Sequence, residues 1–153
     1  MKLSQESRYG VEALVYLAGL PPSTFVTTKE IATATSSPPA FLTKIMRRLV
    51  GAGILLSRRA GTQRGYALAR LANQISVREV LECLEGSSLF ERCLFWSDIC
   101  QSEPCPLHAC WETARSALAA ATATTTLAGL NSAARVRQSK TRPPQEEEEY
   151  VGY

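Results

Sequence analysis

Histidine occurs once in these 153 residues, at position 108, and no Ser/His/Asp grouping or phosphate-cradling glycine loop accompanies it. Nucleophilic and phosphoryl-transfer chemistry therefore have no visible machinery, and an enzyme is not expected. No run of eighteen apolar residues is present, so the chain offers no segment able to cross a bilayer as a helix. The opening stretch, Met1 to Arg8, lacks the apolar core and small-residue cleavage site of a secretory signal, which leads us to expect a cytoplasmic protein without a membrane partner. Internal repeats are absent too. At this length the material suffices for one compact domain with an appendage.

Cysteine is present five times, an odd number, and Cys93, Cys100, Cys105 and Cys110 fall within eighteen positions. In a reducing compartment that crowding argues for metal binding or redox sensing rather than a disulfide framework. Net charge is only +3, but residues 1–80 carry eleven Lys/Arg against four Glu, whereas residues 81–130 carry two against six acids. A basic N-terminal half suits phosphate-backbone binding, because each neutralised phosphate releases condensed counterions.

The helical apolar spacing of Tyr9, Val11, Leu14, Val15, Leu17 and Leu20 predicts a first helix that Ser4 can cap and Pro21-Pro22 stops. Thr27 with Glu30 three residues on forms a capping-box signature for a second, short helix. Ser36-Ser37-Pro38-Pro39 then turns the chain, with proline suited to open a third helix that runs through Phe41, Leu42, Ile45, Met46 and Leu49 to Gly51-Ala52-Gly53. Two helices joined by a tight turn, the second bearing Thr43, Lys44, Arg47 and Arg48 outward, predict a helix-turn-helix whose second helix enters a DNA major groove. Residues 54–57 and 66–69 read as short strands around a tip made cationic by Arg58, Arg59 and Arg64, a wing suited to a minor groove or to phosphates. Ser37 and Pro39, at the turn and helix start, join these cations as candidate DNA contacts.

Ser76 and Glu79 form another capping signature for a helix that stops at Gly86, with Cys83 on its apolar face as a structural thiol. The expected organisation is mostly α with a small β wing. It comprises a winged helix-turn-helix over 1–86, a cysteine-rich loop over 87–110, a long dimerisation helix over 111–130 and a disordered tail over 131–153. The alanine-rich 111–130 stretch needs an apolar partner surface, which a homodimer supplies.

Cys93, Cys100, Cys105 and His108 are separated by six, four and two residues. Soft thiolates with one imidazole satisfy either a structural zinc site or an iron-sulfur cluster, and the spacing leaves both open.

Lys2-Leu3-Ser4 with Arg8-Tyr9-Gly10, the run Pro39 to Ile45, Leu49 to Ile54, Gly65 to Arg70, Leu84-Glu85-Gly86 and the three cysteines stand in an order that resembles the Rrf2 family of winged-helix transcription regulators, in particular its IscR-like branch. The resemblance covers roughly residues 1–130. It implies a homodimer on a pseudo-palindromic double-stranded DNA operator. It further implies an iron-sulfur cluster, 2Fe-2S rather than 4Fe-4S, on Cys93, Cys100, Cys105 and His108, whose state alters DNA affinity in response to iron-sulfur status, redox conditions or nitric oxide. Cys110 is a further candidate for fourth ligand beside His108; some relatives draw an acid from the partner's first helix near position 8, but Arg8 stands there, so a carboxylate would have to come from Glu6 or Glu12 instead. The chain departs from the family in showing Arg64-Gly65-Tyr66 where paired glycines are usual, and in its uneven cysteine gaps. The leading expectation is a cluster-sensing repressor. The second is a zinc-stabilised or cluster-free winged-helix protein that docks an enzyme of sulfur metabolism.

Overall fold

In the computed structural model, residues 3–61, 64–91, 93 and 106–141 are described, 138–141 by their backbone alone. Helix α1 (Gln5–Ala18) starts where Ser4 Oγ accepts the Ser7 amide at 3.1 Å, and Gly19 ends it two residues before the prolines. Thr27 and Glu30 close the expected reciprocal capping box on α2 (Thr28–Thr35), which Ser36 terminates in the left-handed region at φ 52°. Helix α3 (Pro39–Gly51) opens with proline at its first position, where the missing N–H costs nothing. Strands β1 (Leu55–Arg58) and β2 (Gly65–Leu68) pair antiparallel, each offset by one residue from the spans expected, with Arg58 opposite Gly65 and Leu55 opposite Leu68. Helix α4 (Val77–Glu85) follows, again capped by a serine, Ser76. Its Glu79 does not complete the capping box, because the carboxylate is drawn into an ion pair with Arg70.

One core joins these elements. Leu14, Ile31, Leu42, Ile45, Met46, Leu49, Ile54, Ile75, Val80 and Leu127 are fully buried in a single cluster. The apolar rows of α1, α2 and α3 meet there, which is why the outward row of α3 is polar.

The C-terminal region departs from expectation in two ways. Residues 111–130 do not form one helix: α5 (His108–Thr124) ends at Thr125 and α6 (Leu127–Thr141) begins after it. Thr125 is extended, and the chain is held there by Val77 N donating to Thr125 O at 2.8 Å and Leu127 N donating to Ile75 O at 3.0 Å. Thr122, Thr124 and Thr125 hydroxyls bond back to carbonyls of the preceding turn, which weakens continuation of the helix. The second departure is that 131–141 is helical rather than disordered. Asn131 Nδ2 donates to Val15 O at 2.9 Å and Arg135 Nη2 to Gly19 O at 3.2 Å, docking α6 along α1, while Leu127 anchors its start in the core. Tertiary contact thus orders a segment whose composition alone reads as a tail. The last twelve positions, 142–153, lie outside the described residues.

Candidate nucleic-acid interface

The turn between α2 and α3 is built from its own side chains. Thr35 Oγ1 donates to Ile31 O at 2.8 Å, a Thr35–Ser37 hydroxyl pair is 2.8 Å apart, and Ser37 N donates to Ala32 O at 3.1 Å. Ser37, expected as a DNA contact, is only 5% exposed, and its hydroxyl shapes the turn that leads into α3. Pro39 is exposed at the start of α3. Thr43 is half-buried one turn on, its hydroxyl donating to Pro39 O at 3.1 Å.

The six cationic positions expected nearest the groove separate into distinct roles. Arg47 is exposed and has no polar partner among the described residues. With Val50 and Gly51 it forms one wall of a cleft of about 460 Å³, whose other wall is the wing: Ser57, Arg58, Arg59, Gly65 and Tyr66. Three arginines line this cleft and no acid does. Arg58 is steadied by its guanidinium lying 4.3 Å from the centre of the Phe25 ring, a cation–π contact that sets the flank of the wing. Arg59 and Arg64 are exposed on either side of the tip, whose residues 62 and 63 lie outside the described ones.

Lys44 and Arg48 behave otherwise. Both reach Glu6 on α1, Lys44 Nζ at 2.9 Å and Arg48 Nη1 at 3.0 Å. Arg48 Nη2 also donates to Cys83 O at 2.8 Å and Leu84 O at 3.0 Å, carbonyls in the last turn of α4 that have no intrahelical donor to meet them. Arg48, expected as a DNA contact, is therefore also a clamp between α1, α3 and α4. A guanidinium supplies this geometry because its fork meets two carbonyls and a carboxylate at once. Glu6, for its part, is held below the ordinary carboxylate range chiefly by the hydrogen bond from Lys44, against the opposing pull of burial, and also by the Lys44 and Arg48 charges.

On the same seam Cys83 Sγ lies 3.8 Å from Arg48 O, half-buried. Burial pushes this thiol above its ordinary range; the Arg48 charge works against that shift and Glu79 adds to it. It stays protonated near neutrality and is a structural group, as its position on the apolar face of α4 suggests.

Of the expected metal ligands, Cys100 and Cys105 lie outside the described residues. Cys93 is half-buried just after a 3₁₀ turn, Ser87–Phe90, and His108 is the first residue of α5. Cys110 is exposed in the same first turn. Among the described residues no three His, Cys, Asp or Glu side chains converge as a metal site. The elements bearing Cys93 and His108 do pack together: Arg115 Nη1 of α5 donates to Glu91 O at 2.5 Å and pairs with Glu112. Arg78 of α4 lies 5.3 Å from the Phe90 ring centre. Helix α5 opens without a side-chain cap, leaving its first amides to favour negative charge such as thiolate. The described soft donors at that start are His108 and Cys110.

Two participants had no signal in the sequence. Glu6 meets Lys44 across 38 positions and Phe25 meets Arg58 across the α1–α2 connection; neither pair belongs to any local pattern.

Comparison with known proteins agrees with this geometry. The family model described as Rrf2, iron-dependent transcriptional regulator, matches residues 3–133. A Mycobacterium tuberculosis protein bearing the name HTH-type transcriptional regulator Rv1287 is 34% identical over 129 residues, 84% of this chain and 80% of that one. The solved structure of T. potens IscR is similar at a TM-score of 0.69 and 28% identity, covering 90% of this chain and 91% of that one. That of CymR, described as the global cysteine regulator of B. subtilis, reaches a TM-score of 0.73 at 24% identity, with 86% and 97% covered, a likeness of fold.

Proposed function

The chain belongs to the Rrf2 family of transcriptional regulators, DNA-binding proteins rather than enzymes, and on that premise we propose that it is a sequence-specific repressor acting as a homodimer on double-stranded DNA. In this reading α3 enters the major groove, and β1–β2 reaches the adjacent minor groove or backbone. The observation that carries it is the acid-free cleft between Arg47 on α3 and Arg58 and Arg59 on the wing. Both walls of that cleft are cationic and both are anchored to the core, so a phosphate between them meets donors already in place. Homodimerisation is supported by α5, in which Thr122 is the only residue counted as buried, a poor burial for a seventeen-residue helix unless a second copy covers it.

The test is binding to a duplex selected from a random pool, measured across a salt series. Arg47→Ala and Arg59→Ala are each expected to weaken binding about tenfold and to lower the slope of log K against log salt by about 0.9 for each phosphate released. Parent-like affinity in both variants would remove the cleft from the interface.

Regulation in this reading comes through an iron-sulfur cluster held by Cys93, Cys100, Cys105 and His108, with 2Fe-2S favoured by the resemblance to the IscR-like branch. When bound, such a cluster would supply a redox- and nitric-oxide-sensitive centre whose loss alters DNA affinity. This chain's own contribution is the scaffold: Arg115 ties α5 to the carbonyl of Glu91, two residues before Cys93, so the ligand-bearing ends share one anchor. Protein purified without oxygen is expected to be brown, with equal iron and sulfide by chemical count. A colourless protein with one zinc per chain would replace the cluster by a structural metal site built from the same donors.

A further inference from the structure

Lys44 sits on the flank of the outward row of α3, 69% exposed at its side chain, yet its ammonium is 2.9 Å from the Glu6 carboxylate. Glu6 is no loose surface acid. Its side chain is 25% exposed, and α1 begins there under three restraints: the Ser4 cap, Ser4 N donating to Glu85 Oε1 at 2.7 Å, and fully buried Ser7. Arg48 would keep its two α4 carbonyls without Glu6, so Lys44 is the exchangeable partner. Of the three cations on α3, Arg48 is engaged by carbonyls, Lys44 is countered by Glu6, and Arg47 alone faces outward uncompensated.

Non-specific DNA binding is almost wholly electrostatic, and it grows with every cation free to displace counterions. From this placement we propose that Glu6 is a specificity-determining residue, an anchored counter-charge that keeps Lys44 from gripping phosphates on unrelated DNA. A phosphate can take Lys44 only by sharing the ammonium with a carboxylate or lying beside it, and that repulsion is relieved only where the whole recognition unit seats well enough to reorient the lysine. Discrimination is a difference of affinities, and a repulsive group raises it without adding a contact to the correct site.

This inference rests on α3 being the DNA-facing helix, and the experiment separates the two. Binding of the selected duplex and of a scrambled duplex is measured for the parent, Glu6→Gln, Lys44→Ala and the double variant, each checked for an unchanged thermal midpoint. Glu6→Gln is expected to raise affinity for the scrambled duplex about fivefold and to steepen its salt slope by about 0.9 for each phosphate gained. Affinity for the selected duplex should rise less, so that their ratio falls. Lys44→Ala in the parent should change scrambled-duplex binding little, and in the Glu6→Gln background it should cancel the gain. A Glu6→Gln protein with parent-like affinity and slope on scrambled DNA overturns the proposal while Arg47→Ala and Arg59→Ala still weaken binding; if those two are also silent, the DNA-facing assignment of α3 falls with it. Should Glu6→Gln lower the thermal midpoint, Lys44→Gln provides the second route: it removes the cation without reversing its charge and must leave scrambled-duplex binding no more than slightly reduced, and a large loss counts against the proposal.

Discussion

Gly65→Ala is expected to cost about 3 kcal/mol of stability and to lower Tm by roughly 8 °C, with the wing detached from the body of the protein. Gly65 opens β2 at φ 131°, a region that side chains rarely enter, and an added Cβ would stand 2.2 Å from Val26 O and 2.5 Å from Val26 C. Those neighbours are backbone atoms, so no side-chain rotation can relieve the clash. Val26 and Tyr66 exchange two backbone hydrogen bonds at 2.9 and 2.8 Å, which makes Val26 a one-residue third strand joining the wing to the α1–α2 connection. Displacing it also removes Phe25 from beneath Arg58, so DNA affinity should fall together with Tm. Gly61→Ala, at φ 91° with nothing within 4 Å of the added carbon, is the control, expected to cost only about 1 kcal/mol. Thermal denaturation and duplex titration of both variants check the contrast, and equal losses would mean that strain, not the Val26 contact, governs the site.

Arg48→Met is expected to cost about 2 kcal/mol, seen as a fall in Tm on the order of 6 °C, while the salt slope of DNA binding stays at the parent value. Methionine keeps the apolar stem of the side chain and removes the fork. Cys83 O and Leu84 O then lose a charged donor at the end of α4, and Glu6 retains Lys44 alone. Arg48→Lys keeps the Glu6 pair but cannot reach both carbonyls, so its Tm should fall between the two. A phosphate contact would behave in the opposite way, with a slope reduced by about 0.9 per contact and an undisturbed Tm. Because the clamp joins α3 to α4 just before Gly86 and the cysteine segment, its loss should also blunt any dependence of DNA affinity on what that segment holds.

The helix-turn-helix was readable in the chain because each of its signals is local: Ser4, Thr27 and Ser76 each cap the helix that follows, Pro39 opens α3, and apolar residues recur at helical spacing. The paired strands and cationic wing were equally legible, apart from a one-residue offset that turn geometry sets. The family assignment followed from the same motifs. Less legible was what each polar group meets in the folded protein: Arg48, exposed on the polar side of α3, also reaches carbonyls of α4, and Ser37 sits in a turn whose hydroxyls bond to one another.

Cap residues, turn residues and apolar period act over three or four positions, so the order of chain elements, the winged fold and the basic character of the N-terminal half are written in the amino acids directly. The division of labour among the cations is not. Whether Lys44, Arg47 and Arg48 meet solvent, a carboxylate or a carbonyl depends on Glu6, Cys83 and Leu84, as far as 42 positions away, and charge partnerships over such separations exist only after the core has closed. The same holds for α6: its composition suggests no structure, and it is helical because packing on α1 supplies the burial and hydrogen bonds that its own sequence lacks.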